Sequence, residues 1–402
     1  KLARLFKQHM NKSGYPVCHL LYEEYPRDPR VRRYVNALNS TGKKCIVVCS
    51  KKKNEKYFEV LGGNLIYRIP VSKKRGSFFL TLLEYLLFAW ISSFLLLYLQ
   101  LRYRFKIVHI HTLPDFLIFA ALWNKIFGAK LILDLHEIFP ELYMARTGAA
   151  YDSFKVKLLI LAEKYSIKLA NKVITIHDNA KDIFVKRNNL NDEKISVVMN
   201  SVDPSEFPEP AKPDENEFII IYNGTIVKLL NLTMVVEALL KLKQQMPPED
   251  FKRLVFRLYG DGPALNDILS LAETLGVADK VEYMGYLQPA EMRKEVLKTG
   301  VLILPPLKNI YSDLFYTIKL IETIYLKIPV IATKLNTYQR YYSGDSLFYF
   351  ESGNTNELAE RIKEVYYNKP LVQQKTASAR ADYDKLGWEI MRERYLKVVN
   401  EL

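Results

Sequence analysis

The stretch FIIIYNGT (218–225) decides the fold, because it joins an uninterrupted apolar run to a Gly-Thr pair and is followed by a helical pattern near 231–246. The same alternation of apolar run and helix continues along the chain. The later apolar runs are RLVFRLYGDGP (253–263), KVEYMGYL (280–287), GVLILPP (300–306) and IPVIATK (328–334). Continuous apolar strands with helices between them are typical of a parallel sheet covered on both faces. Residues 218–375 are therefore predicted to form an α/β domain.

The N-terminal half has the same organisation. A helix is predicted to start after Asp28, which suits an N-cap, with Pro29 in its first turn. The predicted strands lie at 17–22, 44–50, 64–70, 106–112, 129–137 and 171–177. We therefore predict another α/β domain over 1–202 and a Pro- and acid-rich linker over 203–217. The C-terminal residues 376–402 are predicted to form a helical segment that packs back on the N-terminal domain.

Positive charge is concentrated in one half of the chain. The net formal charge is +14, and residues 1–200 hold 33 Lys and Arg against 16 Asp and Glu, whereas residues 201–402 hold 25 against 28. Such a basic field attracts an anionic membrane, a phosphorylated substrate or nucleic acid. Nucleic acid is disfavoured because no helix-turn-helix, zinc-finger or RNP pattern accompanies the charge. A general solubility bias is the alternative.

The cysteines and the first residues indicate a cytoplasmic protein. Cys18, Cys45 and Cys49 are odd in number and lie in apolar strand-like runs, which favours reduced core residues over disulfides. The sequence has no CxxC pair, so a structural zinc site is not expected. The chain opens on a Lys-rich stretch without the apolar core of a signal peptide, which favours a cytoplasmic location.

The run SFFLTLLEYLLFAWISSFLLLYLQL (77–101) is long and apolar enough to cross a membrane, with Glu84 as its one charge. The strands predicted at 64–70 and 106–112 must lie in one sheet, and a crossing between them would separate them. We therefore predict a helix that does not span. Its aromatic and flanking basic residues suit a helix lying in a membrane face, and an unusually apolar core helix is the alternative.

Three features of the C-terminal half suit a ligand that carries phosphate. Gly224, Gly260 and Gly262 follow strands and would let a phosphate approach the main chain. Lys319 and Glu322 are three residues apart, so they lie on one face of a predicted helix. A lysine can neutralise a diphosphate, and a glutamate can accept hydrogen bonds from both hydroxyls of a ribose. Taken singly, these features also fit plain β–α turns and a solvated ion pair.

The order of these features resembles the C-terminal domain of family 4 glycosyltransferases. That domain has a strand ending in Gly-Thr, a GxGP loop, a V-x-x-x-G-x-L strand (here Val281 to Leu287) and K-L-x-E before a strand. Four stretches of the N-terminal half are similar to the subgroup with a D-x-H-E segment. They are DPRVRR (28–33), VHIHTLPD (108–115), LDLHEIFPE (133–141) and VVMNSVD (197–203). The resemblance covers roughly residues 15–400.

The resemblance implies the GT-B fold, in which two Rossmann-like domains have parallel sheets that face each other across an interdomain cleft. The C-terminal domain would hold the nucleotide-sugar donor and the N-terminal domain the acceptor. Transfer would proceed with retention of anomeric configuration and without a metal or other cofactor. Glu322 would hold the ribose and Lys319 the diphosphate. The expected donor-binding residues are Gly224, Thr225, Lys228, Gly260, Gly262, Tyr286, Leu287, Thr317, Lys319 and Glu322.

Two positions depart from the family pattern. Leu229 stands where the closest subgroup has a basic residue, and the neighbouring Lys228 could take its place. Leu314 stands where many members have a glutamate that grips the donor sugar, eight positions before Glu322. Asp313 is predicted to supply that carboxylate and is counted as catalytic. The departures keep open a degenerate glycosyltransferase-like subunit that binds a partner chain.

In the N-terminal half, His111 and His136 stand at the carboxyl ends of predicted strands, where open α/β sheets bind their ligands. His111 and Glu137 are predicted to be catalytic, His111 by contacting the sugar or supporting the charge that develops as the donor breaks. The expected acceptor-binding residues are Arg27, Arg30, Arg33, Asp115 and His136. As alternatives, the arginines could form an exposed basic helix face and the histidines could be ordinary core or surface residues.

The sequence thus predicts a glycosyltransferase that moves a hexose or N-acetylhexosamine from a UDP- or GDP-sugar to a glycan or lipid-linked acceptor. The expected location is the inner face of the cytoplasmic membrane, with peripheral contact to anionic lipid and without a nucleic-acid partner. The rivals are the degenerate subunit and also a nucleotide-sugar epimerase of the same fold. Such an epimerase would turn over the donor without an acceptor.

Overall fold

The computed structural model describes residues 14–71, 78–207 and 217–402, and these residues form two compact units. Unit 1 contains the described residues up to Asn200 together with Met391–Leu402, and unit 2 is Ser201–Ile390. Most of the predicted linker lies outside the described residues. The predicted C-terminal segment 376–402 is divided between the units, because only its last 12 residues belong to unit 1.

Unit 1 is built on an eight-stranded sheet in the order β3-β4-β2-β1-β5-β6-β7-β8. The strands are β1 (Val17–Leu21), β2 (Cys45–Ser50), β3 (Phe58–Leu61), β4 (Asn64–Ile69), β5 (Ile107–His111), β6 (Lys130–Leu135), β7 (Lys172–Thr175) and β8 (Ile195–Val197). All six predicted strands are present, and β3 and β8 are additional. The β3–β4 pair is antiparallel and turns through Gly62 and Gly63, both of which have positive φ. The remaining pairs are parallel.

The helices of unit 1 cover this sheet. They are α1 (Pro29–Ser40), α2 (Phe78–Tyr103), α3 (Leu122–Ile126), α4 (Phe139–Thr147), α5 (Phe154–Leu169) and α6 (Asp178–Asn188), and a 3-10 helix (Asp115–Ala121) precedes α3. The start of α1 is the one predicted from the sequence. The Asp28 carboxylate accepts hydrogen bonds from the backbone N–H groups of Arg30 and Val31, and Pro29 occupies the first turn.

The apolar run forms one continuous helix, α2, of 26 residues. It connects β4 to β5, which lie in the same sheet, as predicted from the sequence. Within the described residues, it is the one helix whose length and composition would allow it to span a bilayer. Phe88, Leu96 and Leu99 on one side are fully buried, whereas Trp90 is 63% exposed on the other. The alternative of a core helix therefore holds for one face only.

Unit 2 is built on a six-stranded sheet in the order β11-β10-β9-β12-β13-β14, and every pair is parallel. The strands are β9 (Phe218–Asn223), β10 (Leu254–Tyr259), β11 (Val281–Gly285), β12 (Val301–Leu304), β13 (Val330–Thr333) and β14 (Phe348–Phe350). The helices are α7 (Thr233–Gln245), α8 (Pro248–Lys252), α9 (Leu265–Thr274), α10 (Pro289–Leu297), α11 (Ile318–Tyr325), α12 (Asn336–Tyr341), α13 (Thr355–Tyr367) and α14 (Lys369–Asp384). The last helix, α15 (Trp388–Asn400), begins in unit 2 and ends in unit 1.

Candidate active site

In unit 2, the loops that follow β9, β10 and β11 are joined through their main chains at the carboxyl edge of the sheet. The N–H of Gly224 donates to the carbonyl of Tyr259 at 2.9 Å, and the N–H of Gly260 donates to the carbonyl of Gly285 at 2.8 Å. A Cβ atom at Gly260 would lie 1.9 Å from the Gly224 carbonyl oxygen, and Gly260 also has a φ of +121°. Only glycine therefore permits this loop contact.

Gly262 is required for the same reason, because a Cβ there would lie 2.1 Å from the carbonyl oxygen of Ile226. The two glycines of the GxGP loop thus allow the loop after β10 to pack against the loop after β9. Their predicted contact with a nucleotide stays a prediction. The structure adds a packing reason that the sequence pattern did not reveal.

Lys319 lies in the first turn of α11 and reaches towards the loop after β9. Its Nζ donates to the Tyr222 hydroxyl at 2.9 Å, and that hydroxyl donates to the carbonyl of Thr225 at 2.8 Å. A Cβ at Gly224 would lie 2.6 Å from the same Nζ, so the amine contacts the loop directly. Burial lowers the pKa of Lys319 to about 7, and no carboxylate of the described residues pairs with it. An anion at this loop would supply the missing counter-charge.

Glu322 lies on the same helix, with its side chain 22% exposed. Its Oε1 is 3.5 Å from Nη2 of Arg293, which comes from α10 and stacks over the ring of Phe207 at 4.8 Å. The structure therefore brings a second basic side chain to the predicted ribose-binding residue. Arg293 was not predicted, because it lies on a different helix from Glu322 and only the fold brings the two side chains together.

The other predicted donor-binding residues lie at or near these loops. Lys228 is exposed and 3.5 Å from Asp267, so it is not enclosed in the way that Lys319 is. Thr225 and Tyr286 are exposed, and Leu287 is half-buried. Thr317 is the residue before α11 and adopts an extended conformation as its N-cap. Leu229 and Leu314 are half-buried.

Asp313 is engaged in a structural contact. Its Oδ1 accepts a hydrogen bond from the backbone N–H of Asn336 at 2.6 Å and lies 3.6 Å from Nζ of Lys308. Asn336 is the first residue of α12, so the carboxylate satisfies an otherwise unpaired N–H at the start of that helix. The predicted role as the catalytic carboxylate is therefore disfavoured by the geometry.

In unit 1, Asp134 of β6 is fully buried and organises the residues at the carboxyl end of the sheet. It receives two hydrogen bonds from Arg30, at 2.9 Å from Nε and 2.8 Å from Nη2. Arg30 is itself buried and donates a further bond to the carbonyl of Val198 at 2.8 Å. The prediction that Arg30 binds the acceptor is therefore wrong, since its guanidinium is engaged inside the domain.

Two of the predicted histidines also bind Asp134. Its Oδ2 lies 3.1 Å from Nδ1 of His111 and 2.8 Å from Nε2 of His136. His111 is buried, whereas the His136 side chain is 19% exposed. Burial alone would raise the pKa of Asp134, but Arg30, His136 and His111 hold it well below its usual range. Burial lowers the pKa of His111, and its bond to Asp134 opposes that shift.

Two further buried histidines, His19 and His109, lie next to His111 in the interior of unit 1. His19 of β1 lies beside His109 of β5 in the sheet register, and Nδ1 of His19 is 3.0 Å from Nε2 of His111. Two sets have ligand atoms within 4.8 Å of one another: His19, His109 and His111, and His111, Asp134 and His136. The second set includes the carboxylate that already binds the Arg30 cation, which disfavours a metal ion there. The absence of a metal stays a prediction.

The other residues predicted for unit 1 are distributed between surface and interior. Arg27 is exposed and pairs with Glu24 at 2.8 Å. Arg33 is buried, so α1 does not present the exposed basic face that was the alternative interpretation. Asp115 is buried, and burial, reinforced by the Glu163 charge, raises its pKa to about 8. Glu137 is half-buried beside His136 in sequence.

Two units built on parallel sheets define the GT-B fold class, and solved structures share this fold. Sucrose-phosphate synthase from Thermosynechococcus elongatus is similar over 96% of this chain and 98% of its own, with a TM-score of 0.74 and 14% identity. HepE of Anabaena, solved in complex with UDP, is similar over 96% of this chain and 100% of its own, with a TM-score of 0.69 and 12% identity. At these identities the likeness establishes the fold.

Two family models match the sequence. The model described as Glycosyl transferases group 1 matches residues 203–382, and the model described as Glycosyltransferase Family 4 matches residues 30–206. Together they support the assignment of the chain to the GT-B glycosyltransferases of the family 4 type. The narrower assignment to the D-x-H-E subgroup stays a prediction.

Two curated relatives are N-acetylglucosaminyltransferase components. The phosphatidylinositol N-acetylglucosaminyltransferase gpi3 subunit of Schizosaccharomyces pombe is 24% identical over 237 residues, which cover 58% of this chain and 48% of the relative. One component of the human phosphatidylinositol N-acetylglucosaminyltransferase is 23% identical over 326 residues, which cover 79% of this chain and 62% of the relative. The matched regions thus span about half to three fifths of these relatives.

Proposed function

We propose that the protein transfers a hexose or N-acetylhexosamine from a UDP- or GDP-sugar to a glycan or lipid-linked acceptor. The observation that carries this proposal is the enclosed amine of Lys319, which contacts the Gly224 loop and lacks a carboxylate partner among the described residues. A diphosphate at the loop would complete that site. The UDP complex of HepE and the N-acetylglucosaminyltransferase relatives support the donor class.

The proposed reaction needs no protein nucleophile. The bond between the anomeric carbon and the diphosphate oxygen breaks, and an acceptor hydroxyl forms the new bond on the same face, which retains the configuration. The acceptor proton passes to the departing diphosphate, and the ammonium of Lys319 offsets the charge that develops there. Glu322 holds the ribose, with Arg293 fixing the direction of its carboxylate.

For unit 1, we propose that His136 is the member of the Asp134 cluster that meets the acceptor, because its side chain is the more exposed. His111, which the sequence predicted to be catalytic, is enclosed and bonded to both Asp134 and His19. His111 is therefore better suited to holding the cluster than to contacting the sugar. In this proposal, neither the sugar transfer nor the contact with the acceptor requires a metal or a cofactor.

We further propose that the acceptor is carried by the inner face of the cytoplasmic membrane and that the protein binds there peripherally. The basic excess of residues 1–200 and the exposed apolar face of α2 support this location. Leu229 and Leu314 favour one alternative, a degenerate subunit that binds a partner chain. An epimerase would require turnover of the donor alone.

The proposed donor site is tested by thermal unfolding in the presence of UDP, GDP, ADP or CMP. A nucleotide whose free concentration is 100 times its dissociation constant adds about 2.7 kcal/mol to the free energy of unfolding. We expect UDP or GDP to raise the melting temperature, and Glu322→Ala to remove that rise by removing the ribose contact. Glu273→Ala, an exposed glutamate on α9, should retain it. Flat curves for all nucleotides would favour the degenerate subunit.

A further inference from the structure

Among the described side chains of α2, the exposed ones are all apolar. Leu80, Leu83, Trp90, Phe94 and Leu101 are each at least 50% exposed, and their spacings of three, four or seven residues align them on one side of a helix. The opposite side packs into the domain. Helices of soluble domains ordinarily present charged residues to water, so a bare apolar face of this length indicates a contact surface.

Two neighbouring segments extend this face. In α3, Leu122, Trp123 and Ile126 are exposed, with Ile126 at 71%. In α5, Phe154, Leu158, Leu161 and Tyr165 form a stripe at i, i+4, i+7 and i+11, and Phe154 is 80% exposed. Of these three segments, only α2 was predicted from the sequence to be a contact surface.

Specific contacts hold the segments side by side. The 3-10 helix packs against both α2 and α5. The buried amide of Asn124 donates to the carbonyl of Leu96 in α2 at 3.0 Å, and Lys125 donates to the carbonyl of Leu169 at the end of α5. The three exposed stripes therefore belong to one fixed surface, which we call the three-helix face.

Charge on the three-helix face has one sign. The three segments contain three carboxylates: Asp115 and Glu163 are buried, and Glu84 is half-buried with its Oε2 3.4 Å from the Tyr22 hydroxyl. The exposed charged residues of α5 are all lysines. They are Lys155, Lys157, Lys164 and Lys168, and the last three follow one edge of the apolar stripe.

We propose that the three-helix face docks unit 1 on the surface of an anionic bilayer, with the apolar stripes in the interface and the α5 lysines at the lipid phosphates. This inference rests on the membrane-borne acceptor of the proposed function and names the surface that would meet the membrane. A second copy of the chain is a poorer occupant of this face, because two rows of lysines of like charge would be brought together.

The first turns of α2 contact Tyr22, which follows β1. Tyr22 therefore lies at the edge of the sheet where His111 ends β5. Docking would therefore bring that edge close to the lipid.

The test is flotation of the purified protein with phosphatidylcholine vesicles, with and without phosphatidylglycerol. The informative variant is Leu158→Glu with Leu161→Glu, which changes α5 only and places both carboxylates on an exposed face. We expect the wild type to float with anionic vesicles in a salt-sensitive manner, and the double variant to lose about tenfold or more of its affinity. The matched control is Tyr57→Glu, an exposed aromatic residue directly before β3 and outside the three segments, which should bind like the wild type.

Nucleotide-induced stabilisation of the same proteins separates this inference from the proposed function. Stabilisation retained in the α5 variant, with flotation lost, supports the three-helix face. If the α5 variant floated with the affinity of the wild type, α5 would not be part of the docking surface. If the wild type bound nucleotide but not vesicles, the docking would be overturned and the donor site would be unaffected. A wild type that is dimeric in sedimentation, and monomeric as the α5 variant, would assign the face to a second copy and overturn the bilayer.

Discussion

Replacing Lys319 with methionine is expected to lower kcat/KM by about 10²- to 10³-fold, the size of effect seen when one donor to a developing oxyanion is removed. Methionine has a similar length and tolerates an irregular enclosed site, so the fold should persist. The substitution also removes the cost of an enclosed amine that lacks a carboxylate partner among the described residues. Steady-state transfer kinetics would give the loss, and Lys252→Met on the exposed side of α8 is the control.

The same lysine gives the donor site a pH signature. Because burial lowers the pKa of Lys319 to about 7, the amine is mostly neutral at pH 8.5 until a diphosphate raises that pKa again. Calorimetry at pH 8.5 in two buffers of different ionisation enthalpy should therefore show uptake of up to about one proton per nucleotide. Lys319→Met should bind weakly and take up none. Proton uptake that persists in this variant would assign the titration to another group.

The lowered pKa of Lys319 also makes the free energy of unfolding depend on pH. Between pH 7 and the ordinary lysine pKa of about 10.4, the unfolded chain binds more protons at this position than the folded chain does. The free energy of unfolding contributed by Lys319 therefore rises with pH across that window, and its full cost is present below pH 7. A bound diphosphate should reduce this dependence.

Asp134→Ala is expected to lower the free energy of unfolding by about 3–5 kcal/mol, because it leaves the buried guanidinium of Arg30 without its counter-charge. It also removes the partner of His111 and His136. Since the pKa of Asp134 is held well below its usual range, the contribution is present at neutral pH and is lost as the pH falls through the folded value. Urea unfolding at pH 7 measures the change.

Two further variants distinguish a buried ion pair from simple loss of a side chain. Arg30→Met combined with Asp134→Leu leaves no unpaired charge, so it should cost less than Asp134→Ala alone. Asp192→Ala removes an exposed partner of Lys181 and should cost at most about 1 kcal/mol. If Asp134→Ala behaved like Asp192→Ala, the interpretation of Asp134 as the organising residue of this cluster would be wrong.

The parallel sheets could be predicted because their strands are buried on both faces and read as continuous apolar runs. Two strands that were not predicted, β3 and β8, show where this pattern fails. The β3 strand is half-buried, only four residues long and preceded by a lysine-rich stretch, and it forms because Gly62 and Gly63 turn the chain back along β4. The β8 strand has three residues, too few for a periodic pattern.

The donor site was predictable where spacing along one element fixes geometry, as for Lys319 and Glu322 on α11. It was not predictable where distant elements meet. Arg293 reaches Glu322 from another helix, and Arg30 points inward to Asp134, 104 residues away in sequence. Asp313 was predicted from its place beside Leu314, but the backbone of α12 lies within reach of its carboxylate. A one-dimensional pattern contains no information about such partners.

The most direct test of the central claim is a transfer measurement with UDP- and GDP-sugars labelled in the sugar and a lipid extract as the source of acceptors. We expect label to move from one donor into the lipid or glycan fraction, with release of an equal amount of nucleoside diphosphate, and we expect Lys319→Met to slow both by about 10²- to 10³-fold. Conversion of the donor sugar to an epimer in the absence of acceptor would contradict the transfer reaction. Nucleotide binding without any release of nucleoside diphosphate from the donor would also contradict it.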